Sequence, residues 1–302
     1  MQNNFLELIH PRYWPTWLGL GVLYFIIQLP YRFQLQFGKN LGQISYYLLK
    51  KFRRIAEINL KLCFPELSDK ERKNLLKKQF QSLGMGLIES AMAWWMPDHK
   101  LDSLIHIKGL EHLQEALAKK KGVLILSAHF TSLDICGRLF SNIFPMHVVY
   151  REQKNRVIDR LLKQHRNFNW MQPIHRHAIR QIIKTLKQNK AIWYAADQDY
   201  GPTHSIFLPF FNISTATIST PSRYANRTEA QVVTLFYHRL PKEKGYQITI
   251  GPILENFGQG DDYQDMLRFN QLLEQAVRAH PDQYLWIHRR FKTRPQNDPY
   301  LY

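Results

Sequence analysis

Cysteine is nearly absent from this chain. Only Cys63 and Cys136 occur among 302 residues, which excludes a disulfide framework and a cysteine-rich zinc module. Both read as buried apolar thiols of a reducing compartment. Acidic side chains are also scarce: 24 Asp and Glu stand against 41 Lys and Arg, a net charge of +17. An imbalance of that size calls for an anionic partner, whether nucleic acid, anionic lipid, a phosphorylated substrate or an acidic protein. No long repeat, low-complexity tract or Pro/Gly-rich linker is present, so neither a solenoid nor a string of modules is expected. A Gly-x-Ser-x-Gly elbow is missing, and with it the usual serine nucleophile of a hydrolase. What the chain does have is 45% hydrophobic and 13% aromatic residues, enough for a sizeable core and too much for a disordered chain.

Charge disappears completely between Arg12 and Arg32. The 19 residues from Tyr13 to Tyr31 approach the ~20 that a helix needs to cross a bilayer. Trp14 and Trp17 lie near one end and Tyr31 at the other, as an interfacial aromatic belt would place them. A cleaved signal peptide fits poorly, because Glu7 offsets Arg12 and Pro30-Tyr31-Arg32-Phe33 is no cleavage site. A buried core helix stays open. The expectation is an N-terminal membrane helix, transmembrane or deeply seated, over residues 1–32, followed by a cytoplasmic domain over 33–302. Basic residues follow the segment: Arg32 to Lys78 holds 12 Lys and Arg against 4 Asp and Glu. That bias puts the body on the cytoplasmic side and suits anionic headgroups. A membrane segment argues against a nucleic-acid partner.

Helical patterning runs over 38–64. Ser68-Asp-Lys-Glu71 fits a capping box opening a long helix toward Trp95. Then the rhythm changes. Gly122–Ser127, Met146–Tyr150, Ala191–Ala196 and Gln231–Tyr237 are short apolar runs, alternating with helical stretches near 132–142, 155–168, 178–188 and 216–226. Tyr246–Ile250 follows a Gly-containing turn and is expected antiparallel to the run before it, with a closing helix over 263–280. Strands alternating with helices define an α/β fold: a mixed, mainly parallel sheet flanked by helices. Ligands of such sheets gather beyond the carboxyl ends of the strands.

The first of these strands ends in Ser127-Ala-His-Phe-Thr-Ser-Leu-Asp134. A strand-to-helix turn can bring Asp134 back to the His129 ring, where it would accept Nδ1–H and leave Nε2 as a general base. That is the orienting half of a triad without its nucleophile, so the nucleophile would be a substrate hydroxyl. The plainer alternative is a helix N-terminus with Asp134 facing the dipole.

His129-x4-Asp134 resembles the H-x4-D signature of glycerolipid-type acyltransferases. The stretches Asn59–Leu67, Gly122–Asp134, Tyr150–Asn155, Ala196–Pro202, Phe207–Phe211 and Tyr284–Pro295 are similar to the late acyltransferases of lipid A biosynthesis, the lauroyl and myristoyl enzymes of Gram-negative inner membranes. The resemblance implies a glycerol-3-phosphate-acyltransferase-like fold and an inner-membrane, single-pass enzyme. It implies transfer of an acyl chain from acyl carrier protein to a 3-hydroxyacyl hydroxyl of Kdo(2)-lipid IVA or its penta-acylated product. His129 and Asp134 would be catalytic, with no cofactor and no metal. Arg151 matches the Arg of the family's second motif and would hold a phosphate or an oxyanion; its alternative is a surface ion pair with Glu152 or Asp159. Asn155 would share its pocket. Asp197 and Asp199, after the third of these strands, would bind substrate by orienting Arg151 or a sugar hydroxyl. The Phe207–Phe211 aromatics would line an acyl tunnel or fill the core. Arg289, Arg290, Lys292 and Arg294 would meet the acidic carrier protein or lipid phosphates, or form a solvated tail. Two readings compete: a CoA-dependent lysophospholipid acyltransferase, against which stands the missing Phe-Pro-Glu-Gly-Thr-Arg motif, and a non-catalytic basic membrane-binding protein.

Overall fold

The computed structural model describes residues 5–168 and 171–302. Helices lead: α1 (Phe5–Leu8), α2 (Trp14–Ile26), α3 (Tyr31–Leu48), α4 (Lys50–Cys63), α5 (Asp69–Trp95) and α6 (Asp98–Leu101). The α5 start is the expected capping box, with the Ser68 hydroxyl accepting the Glu71 N–H and Glu71 accepting the Ser68 N–H at 2.8 Å. Alternation follows: β1 (Ile105–Lys108), α7 (Leu110–Ala118), β2 (Val123–Ser127), α8 (Leu133–Ile143), β3 (Met146–Tyr150), α9 (Arg156–Phe168), β4 (Met171–His175), α10 (Ile179–Lys187) and β5 (Ala191–Ala195). A hairpin, β6 (Ser205–Phe210) and β7 (Ile213–Ile218), leads to α11 (Thr220–Thr228), β8 (Gln231–Arg239), β9 (Tyr246–Ile250) and α12 (Asp262–Ala279).

The sheet runs β1-β9-β8-β2-β5-β3-β4. Every neighbouring pair is parallel except β8 with β9. The expected mainly parallel α/β sheet and the antiparallel β9 are thus both present. Every residue of β2 is buried, as a central strand of aliphatic residues covered on both faces should be. Parallel pairing brings the carboxyl ends of β2, β5, β3 and β8 to one edge. The hairpin is a small separate sheet. Its two-residue turn places Phe211 and Asn212 at φ 50° and 60°, the pair of left-handed residues that matches hairpin twist. Burial makes an aromatic tolerable there: Phe211 packs edge-on against Phe64, Phe210 and Trp286. The Phe207–Phe211 stretch therefore contributes core, Phe210 and Phe211 being buried. The helix expected from Ala216 starts later, at Thr220, because the chain up to Ile218 pairs in the hairpin.

The N-terminal segment corrects the sequence reading. No helix among the described residues is long and apolar enough to cross a membrane. The charge-free run is divided instead: a 3-10 turn at Pro11–Tyr13, the 13-residue α2, then Pro30 at the N-cap of α3. Thirteen residues rise only ~20 Å, against ~30 Å of hydrocarbon, and a proline cannot continue the helix that precedes it. The single-pass transmembrane helix is therefore not supported. Apolar surface is nonetheless concentrated here. Of the 21 exposed large hydrophobic residues among those described, 15 lie between Ile9 and Phe52, with Leu18, Phe25 and Leu48 the most open.

Helix α3 crosses α5 at very short range. Gly38 and Gly42, one turn apart on α3, face Gly84 on α5, and a Cβ on Gly42 would lie 2.1 Å from the Phe80 carbonyl oxygen. Beyond that crossing α5 carries the buried Glu89, whose carboxylate takes both Nε and Nη2 of Arg239, at the end of β8. Arg239 Nη1 donates to Ser82 Oγ at 3.0 Å, Tyr246 donates to Glu89 at 2.9 Å, and Tyr31 reaches Tyr246 at 3.2 Å. Charge of both signs is buried here, and each charge has its partner in place.

Candidate active site

The site is built where β2 runs out. Parallel register pairs Ser127 of β2 with Ala195 of β5. Two residues further on, the same offset sets His129 opposite Asp197. That carboxylate grips the histidine twice. Oδ2 accepts the His129 backbone N–H at 3.0 Å, and Oδ1 pairs with Nδ1 at 2.6 Å. A carboxylate accepts only, so Nδ1 carries a proton, and in the neutral ring Nε2 keeps its lone pair. The His129 side chain is 23% exposed and that of Asp197 only 2%: the ring is reachable, its anchor is not. Burial pushes the Asp197 carboxyl up. The His129 charge, both His129 hydrogen bonds and Arg290 outweigh that and hold it down at about 2.

The turn carrying His129 is fastened on all sides. Tyr237 donates to the Ala128 carbonyl at 2.6 Å. Thr131 N–H donates to the Gln283 carbonyl at 2.8 Å, and Leu285 N–H donates to the His129 carbonyl at 3.1 Å. Phe130 and Tyr284 form an antiparallel bridge. Ser82 Oγ lies 3.2 Å from Thr131 Oγ1, which links the turn to the buried Arg239–Glu89 pair. At Gly86 of α5 the backbone comes so close that a Cβ would sit 2.4 Å from the Thr131 carbonyl oxygen.

The candidate residues fall into distinct places. Asp134 lies in the first turn of α8 and its Oδ2 accepts the Ser90 hydroxyl at 2.7 Å. The H-x4-D spacing places Asp134 at Nδ1; the 2.6 Å bond there comes from Asp197. Arg151 follows β3 and is exposed, on the same sheet edge as His129. Asn155 caps α9: its Oδ1 accepts from Val157 and Ile158 N–H, and its Nδ2 donates to Thr16 of α2 at 2.8 Å. Asp199 is buried, and its carboxylate accepts from Gly201 N–H, Thr293 N–H and Thr293 Oγ1. Both oxygens thus serve to clamp the C-terminal segment onto the end of β5. Of the basic end, Arg290 is buried, donating to the Ala216 carbonyl and to Thr217. Arg294 donates to the Ser214 carbonyl and to Asp298. Lys292 stays largely exposed. Cys63 and Cys136 are buried free thiols, and burial pushes both thiol pKa values up.

Several contributors were invisible to the sequence. Ser90, Tyr237, Gln283 and the double grip of Asp197 depend on strand order and on which helix lies over the turn, neither of which spacing reveals. The one available signal is that His129 and Asp197 each follow the end of an apolar run within two residues.

A mainly parallel α/β sheet carries a carboxylate-oriented histidine at its carboxyl edge, where ligands of such sheets gather. A model of the bacterial lipid A biosynthesis acyltransferase family matches residues 2–293. The chain is 38% identical over 296 residues to the lipid A biosynthesis lauroyltransferase of Escherichia coli K12, covering 98% of this chain and 97% of that one. It is 37% identical over 297 residues to the lipid A biosynthesis palmitoleoyltransferase of the same organism, with the same coverage of both. A lipid A biosynthesis acyltransferase of Haemophilus influenzae is 33% identical over 306 residues, covering 100% of this chain and 97% of that one. The chain belongs to the bacterial lipid A biosynthesis acyltransferase family, and it is an acyltransferase.

Proposed function

We propose that this enzyme moves a fatty acyl group from acyl carrier protein to a 3-hydroxyacyl hydroxyl of Kdo(2)-lipid IVA, or of its penta-acylated product, with His129 as general base. The observation that carries the reading is the Asp197 grip, because it fixes the tautomer the chemistry needs. Nε2 takes the proton of the acceptor hydroxyl. The oxygen attacks the thioester carbon, and the proton then passes from Nε2 to the departing thiolate. Asp197, still ionised at neutral pH, stabilises the imidazolium formed between the two transfers. Asp134 steadies the start of α8 through Ser90 and adds negative potential beside the ring. Arg151, open at the same edge, is the group that receives a phosphate of the acceptor.

The substrate is an amphiphile, so the protein has to meet a membrane surface. The exposed apolar residues of α2 and α3, with the basic residues from Arg32 onward, fit helices lying in the headgroup region of the inner membrane rather than crossing it, with the site on the cytoplasmic side.

The test is direct. Detergent-solubilised protein is mixed with acyl carrier proteins bearing chains of different length and with either acceptor, and the lipid is weighed by mass spectrometry. A gain of one acyl group is expected, with His129→Ala slower by about 10²–10⁴. No gain with any donor on either acceptor refutes the reading.

A further inference from the structure

His288 is a second histidine at this site, and the chain holds it more tightly than a surface ring requires. Its backbone is fixed from two directions. The buried Asn59 amide donates to the Trp286 carbonyl at 2.6 Å and to the His288 carbonyl at 2.8 Å. Arg290 N–H donates to the same His288 carbonyl at 2.9 Å. Three residues earlier, Leu285 N–H holds the His129 carbonyl, so the two histidines ride on directly paired segments. The ring is fixed as well. Asp199 N–H donates to Nε2 at 3.1 Å, which makes Nε2 the acceptor and puts the ring proton on Nδ1. Nδ1 has no acceptor among the described residues and is not one of the buried, unpartnered polar atoms, so it opens toward solvent. Burial, with help from Arg290 and His129 and against the pull of Asp197 and Asp199, lowers the pKa to about 4. The ring is therefore neutral at neutral pH and remains a donor.

We propose that His288 is a catalytic residue for acyl transfer: its Nδ1–H is a preset hydrogen-bond donor to the thioester carbonyl oxygen and to the oxyanion that replaces it. The proposal rests on the acyl-transfer reading above. When the acceptor oxygen gives its proton to His129 Nε2 and bonds to the thioester carbon, the C=O electron pair moves onto oxygen, where the Nδ1–H holds it. When the C=O re-forms, the C–S bond breaks and the thiolate takes the proton from His129. His288 keeps its own proton throughout. It cannot serve as the base, because Nε2 is already engaged by the Asp199 amide. A neutral donor also leaves the proton traffic of His129 undisturbed, which a second imidazolium would not.

Two near-isosteric variants separate this role from a structural one. His288→Asn puts an amide N–H where Nδ1–H was and leaves Asp199 N–H without its acceptor. His288→Gln restores an acceptor near Nε2 and leaves nothing at Nδ1. In steady-state acyl transfer, kcat should fall by about 10²–10³ in His288→Ala and His288→Gln, as for loss of one oxyanion donor, with His288→Asn recovering about tenfold and the donor KM little changed. Gln at the wild-type rate, or Asn no faster than Ala while melting like wild type, would overturn the proposal. A second measurement needs no turnover: the ring 15N shifts of His288 should show Nδ1 protonated and no titration above about pH 5. Protonation at Nε2 also overturns it. If wild type itself transfers nothing, the acyl-transfer reading fails, and the tautomer still judges the placement of this donor.

Discussion

The α3–α5 crossing sets up a test in which one kind of substitution should act in opposite directions. In Gly42→Ala the new methyl would meet the Phe80 carbonyl oxygen at 2.1 Å and the Gln81 Cα at 2.7 Å. Both obstacles are backbone, so no rotamer change relieves them. An ordinary carbon–oxygen contact needs ~3.4 Å, so the helices must part by about 1 Å or tilt. Overpacking of this kind costs roughly 1–3 kcal/mol, and more where backbone must move. Alanine returns about 0.5–1 kcal/mol of helix propensity. We expect a net loss of about 2 kcal/mol, a melting temperature lower by about 4–8 °C at the usual sensitivity of a large domain. Gly19→Ala is the control. It lies in α2 with nothing within 4 Å of its Cβ position, so only the propensity gain applies and its melting point should hold or rise slightly. The assay is thermal unfolding in one detergent at one scan rate. Because α5 also carries Ser82, Gly86 and Ser90 to the His129 turn, Gly42→Ala should slow turnover of the protein that remains folded. A Gly42→Ala protein melting at or above wild type, or a Gly19→Ala protein that loses as much, would refute the close-crossing argument.

Three further outcomes follow from the same contacts. Asp197→Asn presents one oxygen to two donors, the His129 N–H and Nδ1–H, so the turnover rate should fall by about 10²–10⁴; a smaller loss than in Asp134→Asn would return the orienting role to Asp134. Glu89→Leu leaves the Arg239 charge buried without its partner and should cost about 3–5 kcal/mol; the double change Glu89→Leu/Arg239→Met should recover part of it in urea titrations, and strict additivity of the two single changes would contradict the pairing. The stacked rings of His238 and His280, with centroids 3.5 Å apart, are both held below the ordinary histidine pKa by burial, His238 at about 4. The unfolded chain then binds protons that the folded one does not, so their contribution is complete above about pH 6.5 and drains away down to about pH 4. Melting temperature should fall over that window, and His238→Phe should flatten the fall; an unchanged slope would clear the pair.

The elements with a strong local signature were readable. Ser68 and Glu71 announce the start of α5, and the aliphatic runs at 123–127 and 191–195 announce buried parallel strands. The runs that failed are those whose conformation is decided from outside. Ile105–Lys108 is only four residues long and becomes a strand by pairing with β9. Ile213–Ile218 reads into the following helix until the hairpin claims it. The charge-free stretch at 13–31 reads as one helix because hydropathy measures how apolar a run is, whereas α2 ends at Ile26 and Pro30 opens a new helix, α3. The site shows the same division. His129 and its turn are legible from spacing, whereas its partner at Nδ1 lies 68 residues away and is chosen by strand order. Asp199 and Asn155 carry the right residue types for substrate, yet their hydrogen bonds are spent on Thr293 and Gly201, and on the start of α9 and Thr16.

The double grip of Asp197 on His129 has a consequence for how the protein comes into being. The turn at 129 is held from 197, from 237 and from 283–285, so its contacts are not complete until nearly the whole polypeptide exists. The apolar helices before residue 52 leave the ribosome first. At roughly 5–20 residues per second, the remaining 250 or so take on the order of 12–50 s to make. Over that interval the helices before residue 52 are out while the turn that carries His129 still lacks the contacts that hold it.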